Sequence, residues 1–336
     1  MLDLPIEPIL AKAVTAIPEG DYSYEPKWDG FRCLIIRDGD QIELGSRSKK
    51  PLTRYFPEVV EFARSLPERC IVDGELVIVA GEAGASHLSW DLLSQRIHLA
   101  ESRVTLLASS TPAEFIAFDL LWLSDDDLTE LPFQARRDKL KSVFATPPHP
   151  SLHLTATTRD AAVARTWFEQ FEGAGLDGVI AKPLASPYRQ GKRDLLKIKH
   201  KRTADAVVVG YRVAKSGEGV GSLLLGLYDG AELKRVGGIV GLPAAARMEL
   251  VDELAPLVID QPASLQKPPS RFGGKEDWVA LEPKLVVEVA FDQLEGDRFR
   301  HAVSLLRWRP DKARHDCTLD QVERPVAYDL RDVLQA

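Results

Sequence analysis

The 336-residue sequence predicts an α+β fold, in which a domain built on antiparallel sheets is followed by a small β-barrel of the OB type. Three observations carry this reading. The length exceeds what one compact domain usually holds, so two are expected. Up to about residue 201, strand and helix patterns are interspersed without a regular βαβ period. From about Thr203 the texture changes to short β runs separated by glycine turns, with one helix among them.

In the first domain, Phe31 to Ile36 and Ile42 to Leu44 read as strands joined by a hairpin at Asp38-Gly39-Asp40. The apolar spacing of Val59, Phe62, Ala63 and Leu66 predicts a helix over 58–66. Cys70 to Ala80 reads as a strand interrupted at Asp73-Gly74, and Phe115 to Leu123 as a strand ending in an acidic turn. Residues 131–144 and 160–174 have amphipathic helical spacing, and 178–182 and 195–199 read as short strands. In the second domain, 206–213, 223–228, 233–239 and 285–291 are the β runs and 244–257 the helix. Lys201-Arg202-Thr203 is the expected hinge, which divides the chain into domains 1–201 and 202–336. A fragment ending near Arg202 is expected to fold alone.

Composition narrows the class. Hydrophobic residues at 45% and charged residues at 28% fit an ordinary globular protein. No apolar run spans a bilayer, and the amino terminus lacks the basic-then-apolar pattern of a secretory signal. Cys33, Cys70 and Cys317 form an odd, scattered set without a C-x-x-C pair. That argues for a reducing cytoplasm and against a disulfide framework or a zinc ribbon. A net charge of −7 argues against nucleic acid only if charge is spread evenly. Between Lys182 and Arg202 there are eight bases and one acid, Asp194. Taken alone, that run is as well explained by a solvated face.

The chemistry-bearing stretch is Glu25-Pro26-Lys27-Trp28-Asp29-Gly30-Phe31-Arg32. K-x-D-G by itself describes many surface turns. It gains weight from the segments downstream of it, in order: Ser46-Arg47-Ser48, Val72-Asp73-Gly74-Glu75, Phe118-Asp119, Asp177-Gly178-Val179-Ile180-Ala181-Lys182, Leu196-Lys197-Ile198-Lys199 and Arg309-Pro310-Asp311-Lys312. Strand periodicity puts Lys197 and Lys199 on one face. No histidine has zinc-ligand spacing, and no glycine-rich P-loop is present.

These segments, in this order, resemble the motifs of the covalent nucleotidyltransferases, which comprise DNA ligases, RNA ligases and mRNA capping enzymes. The resemblance runs from about residue 6 to 313. It is strongest to small bacterial ATP-dependent DNA ligases, the C-class of mycobacteria above all. It implies an adenylation domain and an OB barrel that seal nicked duplex DNA through lysyl-AMP on Lys27, with ATP and Mg²⁺ or Mn²⁺ as cofactors. A free lysine titrates near ~10.4, so attack near pH 7 requires depression by about three pH units, about 4 kcal/mol. Neighbouring cations or desolvation can supply this.

Matched to the motifs, Glu25 would accept from the adenine amino group and Phe118 would stack on adenine, with Val179 on its other face. A core phenylalanine is the plain alternative for Phe118. Arg32 would contact the ribose or the nick 5′-phosphate, and Arg47 that phosphate. Glu75 would face the ribose or a metal. Asp177 would bind the metal, where many relatives carry glutamate. Lys197 and Lys199 would neutralise the α-phosphate. Asp29 would be a structural or leaving-group aid. Arg309 and Lys312 would orient pyrophosphate, against the alternative of ordinary surface ion pairs. Lys192 and Arg193 would bind DNA outside the catalytic motif. The resemblance further implies a role in DNA repair, beside the nucleoid, with a primase-type polymerase as candidate partner. A monomer is the default. The runner-up activities are RNA ligation and capping; a catalytically dead OB-type nucleic-acid binder is the rival outside enzymes.

Overall fold

The computed structural model describes residues 5–82, 84–214, 216–262, 278–292, 294–322 and 326–335. They divide into two compact units, residues 1–199 with 325–336, and residues 200–324. The last segment, assigned from sequence to the second domain, therefore belongs to the first.

The first unit holds a six-stranded and a four-stranded sheet. The larger runs in the order Leu152–Leu154, Glu114–Leu123, Arg69–Val77, Phe31–Asp38, Gln41–Ser46, with Asp126–Asp127 added beside Glu114–Leu123. All its pairs are antiparallel except that of Leu152–Leu154 with Glu114–Leu123. The smaller runs Ala11–Val14, Leu195–Ile198, Val179–Pro183, Tyr22–Pro26. Alternation along the strands gives each sheet two distinct faces. Cys33, Ile35 and Val72 pack with Val59 and Phe62 of the helix Pro57–Ala63. Leu34, Ile36 and Ile71 turn the other way, towards Leu195 and Ile180 of the smaller sheet. The smaller sheet's far face, Tyr24, Val179, Ala181 and Ile198, packs on Ala164 of the helix Ala161–Gln170. The space between the sheets is thus lined by alternate residues of both.

The strand expected to break at Asp73-Gly74 continues through it as Arg69–Val77, with an irregular register there. Gly74 permits this, because a Cβ would lie 2.3 Å from the Phe115 ring. The expected helix over 160–174 is α-helical to Gln170, tightens into a 3₁₀ turn, and ends at Gly175 with φ of 87°. The helix Glu101–Ser110 and the strands Ala11–Val14 and Tyr22–Pro26 were not expected.

The second unit is a seven-stranded sheet around one apolar core. Arg202–Val213 is its central strand, pairing with Val220–Asp229, Val279–Leu281 and Val286–Phe291. Ser304–Trp308 adds to Val286–Phe291, and Glu232–Ile239 to Val220–Asp229. A bridge between Ile239 and Val303 brings the two ends of this path together, closing the OB-type barrel.

Candidate active site

A cavity of about 670 Å³ opens between the two sheets of the first unit. Its lining includes Glu25, Lys27, Arg32, Arg47, Glu75, Phe118, Arg193 and Lys197, eight positions singled out in the sequence.

Lys27 follows the strand Tyr22–Pro26, and its backbone is held from one side: its N–H donates to Gly178 O at 2.9 Å, and its carbonyl accepts from Asp177 N–H at 3.0 Å. Two glycines make this packing possible. A Cβ on Gly30 would sit 2.0 Å from Leu76 O, and one on Gly178, at φ of 133°, 2.0 Å from Ile198 O. Trp28 is buried beside Lys27 and donates from Nε1 to Thr155 Oγ1 at 2.7 Å.

Lys27 Nζ donates to Asp177 Oδ2 at 2.7 Å, and Lys199 Nζ lies 2.6 Å from the same oxygen. Although burial opposes charge on Asp177, Lys27 and then Lys199 hold its carboxyl below the usual range. Lys197 is pulled below the ordinary lysine range, by burial first and then by Lys199 and Lys27. Three ammonium-bearing chains and one carboxylate therefore meet beside the cavity, which Lys27 and Lys197 line and Lys199 and Asp177 do not. The structure thus brings Lys197 and Lys199 together with Lys27, even though the strand itself stops at Ile198.

Along the larger sheet, Arg32 binds Asp73 through both ends of its fork, at 2.6 and 2.5 Å, and lies 4.5 Å over the Phe118 ring. Tyr188 donates to Asp73 at 2.6 Å. Asp73 and Tyr188, which orient Arg32, received no role from the sequence. For Asp73 the signal was period-two spacing, since Asp73 and Glu75 share a strand face and Arg32 pairs with Glu75, whereas Tyr188 lies outside the strands and carried none. Glu75 is half-buried, its carboxyl pushed up to about 7, by burial first and against the pull of Arg32 and Lys27. Asp29 is half-buried in the turn after Lys27.

Two residues before Lys27, Glu25 also lines the cavity and is only 3% exposed. One of its oxygens lies 2.7 Å from Lys182 Nζ, and the other, Oε2, has no hydrogen-bond partner. A buried carboxylate oxygen facing a cavity is an open acceptor.

Three expectations require correction. Val179 does not face the cavity: it is fully buried against the helix side of its sheet, and Ile180 takes the lining position. The choice was one residue out of phase in a two-residue period. Lys182, counted among the bases facing DNA, is buried and paired with Glu25. Arg193, expected to act only on DNA from outside the catalytic motif, lines the cavity, whereas the neighbouring Lys192 does not, although both are exposed.

In the second unit, Arg309 Nη1 lies 3.0 Å from Asp205, and its Nη2 2.9 Å from Asp311. These carboxylates hold Arg309 above its ordinary range, and Arg309 in turn holds Asp311 down to about 2. Lys312 lies 3.9 Å from Asp205.

The family described as "ATP dependent DNA ligase domain" matches residues 3–199, and that described as "ATP dependent DNA ligase C terminal region" matches 216–312. The chain belongs to the ATP-dependent DNA ligases. It is 50% identical over 342 residues to DNA ligase C1 of Mycolicibacterium smegmatis, covering 98% of this chain and 97% of that one. To DNA ligase C of Mycobacterium tuberculosis it is 50% identical over 352 residues, with the same coverage. Among solved structures, a Lig E DNA ligase shares the fold at a TM-score of 0.59 and 19% identity, over 92% of this chain and all of that one. The expected fold class, an α+β domain with antiparallel sheets followed by an OB barrel, is the ligase architecture. Among the described residues no helix is long and apolar enough to cross a membrane.

Proposed function

We propose that this ligase loads AMP on Lys27 and uses it to seal nicks in duplex DNA. The observation that carries the reading is the meeting of Lys27 and Lys199 on Asp177, with Lys197 nearby, beside a cavity that also offers the unpartnered oxygen of Glu25. Phosphate at the lysines and a purine amino group at Glu25 would use both kinds of group that ATP offers.

In the first step the neutral Lys27 amine attacks the α-phosphorus. A P–N bond forms, the bond to pyrophosphate breaks, and the amine proton leaves. Lys197 and Lys199 offset negative charge on the phosphoryl oxygens, which a low-dielectric site rewards. In the second step a 5′-phosphate oxygen of the nick attacks the same phosphorus and releases the lysine. In the third the 3′-hydroxyl attacks the activated DNA phosphate and AMP departs. Phe118 stacks on the base, with Ile180 lining the same space. Arg47 and exposed Lys192 contact DNA phosphates, with Arg193 at the cavity edge. Asp29 supports the turn that presents Lys27.

Glu75 and Asp177 would hold a divalent cation. The described residues contain no group of three ligating side chains. Two carboxylates completed by phosphate and water fit Mg²⁺ or Mn²⁺ better than an all-protein cage. Such an ion would supply further charge neutralisation at the phosphates. Arg309 and Lys312 would orient pyrophosphate, with Lys201-Arg202-Thr203 as the hinge. Activity in repair, alongside a primase-type polymerase and as a monomer, completes the reading.

The test is Lys27→Ala. Labelling by α-³²P-ATP should vanish, while a pre-adenylylated nick should still be sealed. Retained labelling would move the nucleophile elsewhere.

A further inference from the structure

Lys182 stands in the sequence as one of a run of bases, yet the fold places it under the nucleotide cavity. Strand register sets Ile180 opposite Glu25 and Lys182 opposite Ser23, so Glu25 and Lys182 are diagonal neighbours on the cavity face. Lys182 is 2% exposed and is held on several sides. It lies 2.7 Å from Glu25 Oε1, donates to Phe118 O at 3.2 Å, and sits 4.6 and 4.8 Å from the ring centroids of Phe118 and Phe133. From the helix Phe133–Val143, Arg137 is 4% exposed and donates one N–H to Thr155 O, while its Nε and Nη1 have no hydrogen-bond partner.

We propose that Lys182 is a positioning residue that sets nucleobase specificity: backed by Arg137, it keeps Glu25 an anionic acceptor aimed at the exocyclic amino group of adenine. The inference rests on the reading in which Glu25 meets that amino group. An anionic oxygen accepts more strongly than a neutral one and repels a carbonyl at the same position, as guanine presents. A carboxyl this deeply buried would otherwise take up a proton. Burial does push Glu25 upward, and Asp119 from the strand Glu114–Leu123 adds to the push. Lys182 first and Arg137 second oppose it without cancelling it, so the carboxyl stays above its usual range but lower than burial alone would set it. Asp119 is itself bound through both oxygens by Arg136, which blunts its effect.

The experiment compares ATP with purine riboside 5′-triphosphate, which lacks only the amino group, as substrates for lysyl-AMP-type loading between pH 5.5 and 8.5. Taking the ratio of kcat/KM values cancels titration of the triphosphate common to both. For the wild type the expected ratio is roughly tenfold to a hundredfold in favour of ATP and flat with pH, the range of a charged hydrogen bond. In Lys182→Met it should fall to within about threefold at pH 6 and recover towards pH 8.5, as Glu25 regains its charge. Lys182→Arg should restore the wild-type ratio, and Glu25→Gln/Lys182→Met should give a low ratio that no longer varies with pH. The double variant also removes the unpaired buried charge that would count against the folding of Lys182→Met. A full, pH-independent ratio in Lys182→Met, or pH dependence surviving in the double variant, overturns the inference and leaves the Glu25 reading standing. Equal use of both nucleotides by wild type and Glu25→Gln overturns that reading as well.

Discussion

The carboxy-terminal segment makes a prediction that the sequence did not suggest. Residues 326–335 pack into the first unit: Leu330 and Val333 are fully buried in a cluster with Trp28, Ile116, Phe171 and Leu176. Asp329 accepts from Ser86 Oγ and the Gly84 N–H, Leu330 N–H donates to Ser86 O at 2.9 Å, and Arg331 clasps both oxygens of Glu114 at 3.1 and 2.9 Å. Gly173 is required by this docking, because a Cβ there would stand 1.7 Å from Val326 O. Leu330→Ala should cost about 2–5 kcal/mol, the range for a fully buried leucine. The cost cannot exceed the free energy of docking the segment, because a weakened tail can simply leave. For a unit of this size, about 2–4 °C of Tm per kcal/mol predicts a fall of roughly 4–20 °C in the first-unit transition. Gly173→Ala should lower the same transition without altering the tail. Both variants should slow lysyl-AMP formation, since Trp28 adjoins Lys27. Calorimetry with single-turnover loading measures this, and a Tm within 1 °C of wild type for both would refute the packing argument. A fragment ending near Arg202, expected from the sequence to fold unaided, would lack two buried side chains of its own core.

Four further outcomes are expected at the site. Arg47→Ala should leave lysyl-AMP formation within about threefold of wild type while slowing transfer to nicked DNA by about 100-fold or more, since losing one charged partner costs roughly 3 kcal/mol; equal loss in both steps would make Arg47 a nucleotide ligand. Lys192→Ala should flatten the log–log salt dependence of nicked-duplex binding by about 0.9 and spare loading, whereas Arg193→Ala should disturb both; an unchanged slope for Lys192→Ala would make it a solvated surface charge. Removing Arg309 and Lys312 together should slow loading by orders of magnitude and spare sealing of a pre-adenylylated nick; equal loss in both, with a lowered Tm, would favour a purely structural part for their ion pairs with Asp205. In chelator, with no nucleotide, Glu75→Gln should flatten the decline of Tm between about pH 4.5 and 7. In the wild type the raised carboxyl of Glu75 keeps a proton that the unfolded chain has lost, so its contribution is full below the unfolded value and disappears as pH rises through about 7. A Tm profile of the variant parallel to wild type would show that Glu75 does not titrate there.

The legibility of this chain depends on which interactions are local. The hairpin strand Phe31–Asp38, the helices Phe133–Val143 and Ala161–Gln170 and the barrel strands were visible because alternation and helical spacing are properties of short windows. The helix Glu101–Ser110 was missed because only Val104 and Leu107 are buried, too few to form a stripe. The strand Ala11–Val14 is short and half-exposed, and what makes it a strand is its parallel partner Leu195–Ile198, far along the chain. The same division holds at the site. Lys27, Asp177, Lys197 and Lys199 could be named because their spacing within motifs is local, whereas their meeting could come only from the motif resemblance. Phase was the weak point: without knowing which sheet face was covered by a helix, Val179 and Ile180 were equal choices. The sign of a charge run was equally blind to burial. Lys182 reads the same in sequence as Lys192, yet one is buried against the cavity and the other is in solvent. What separates them is the cross-strand neighbour: Lys182 lies diagonal to a buried carboxylate, which stabilises an ammonium away from water, and Lys192 sits in a turn. A buried lysine beside a buried glutamate is the arrangement in which losing either partner is felt at the other, and here the other is a carboxylate that lines the cavity.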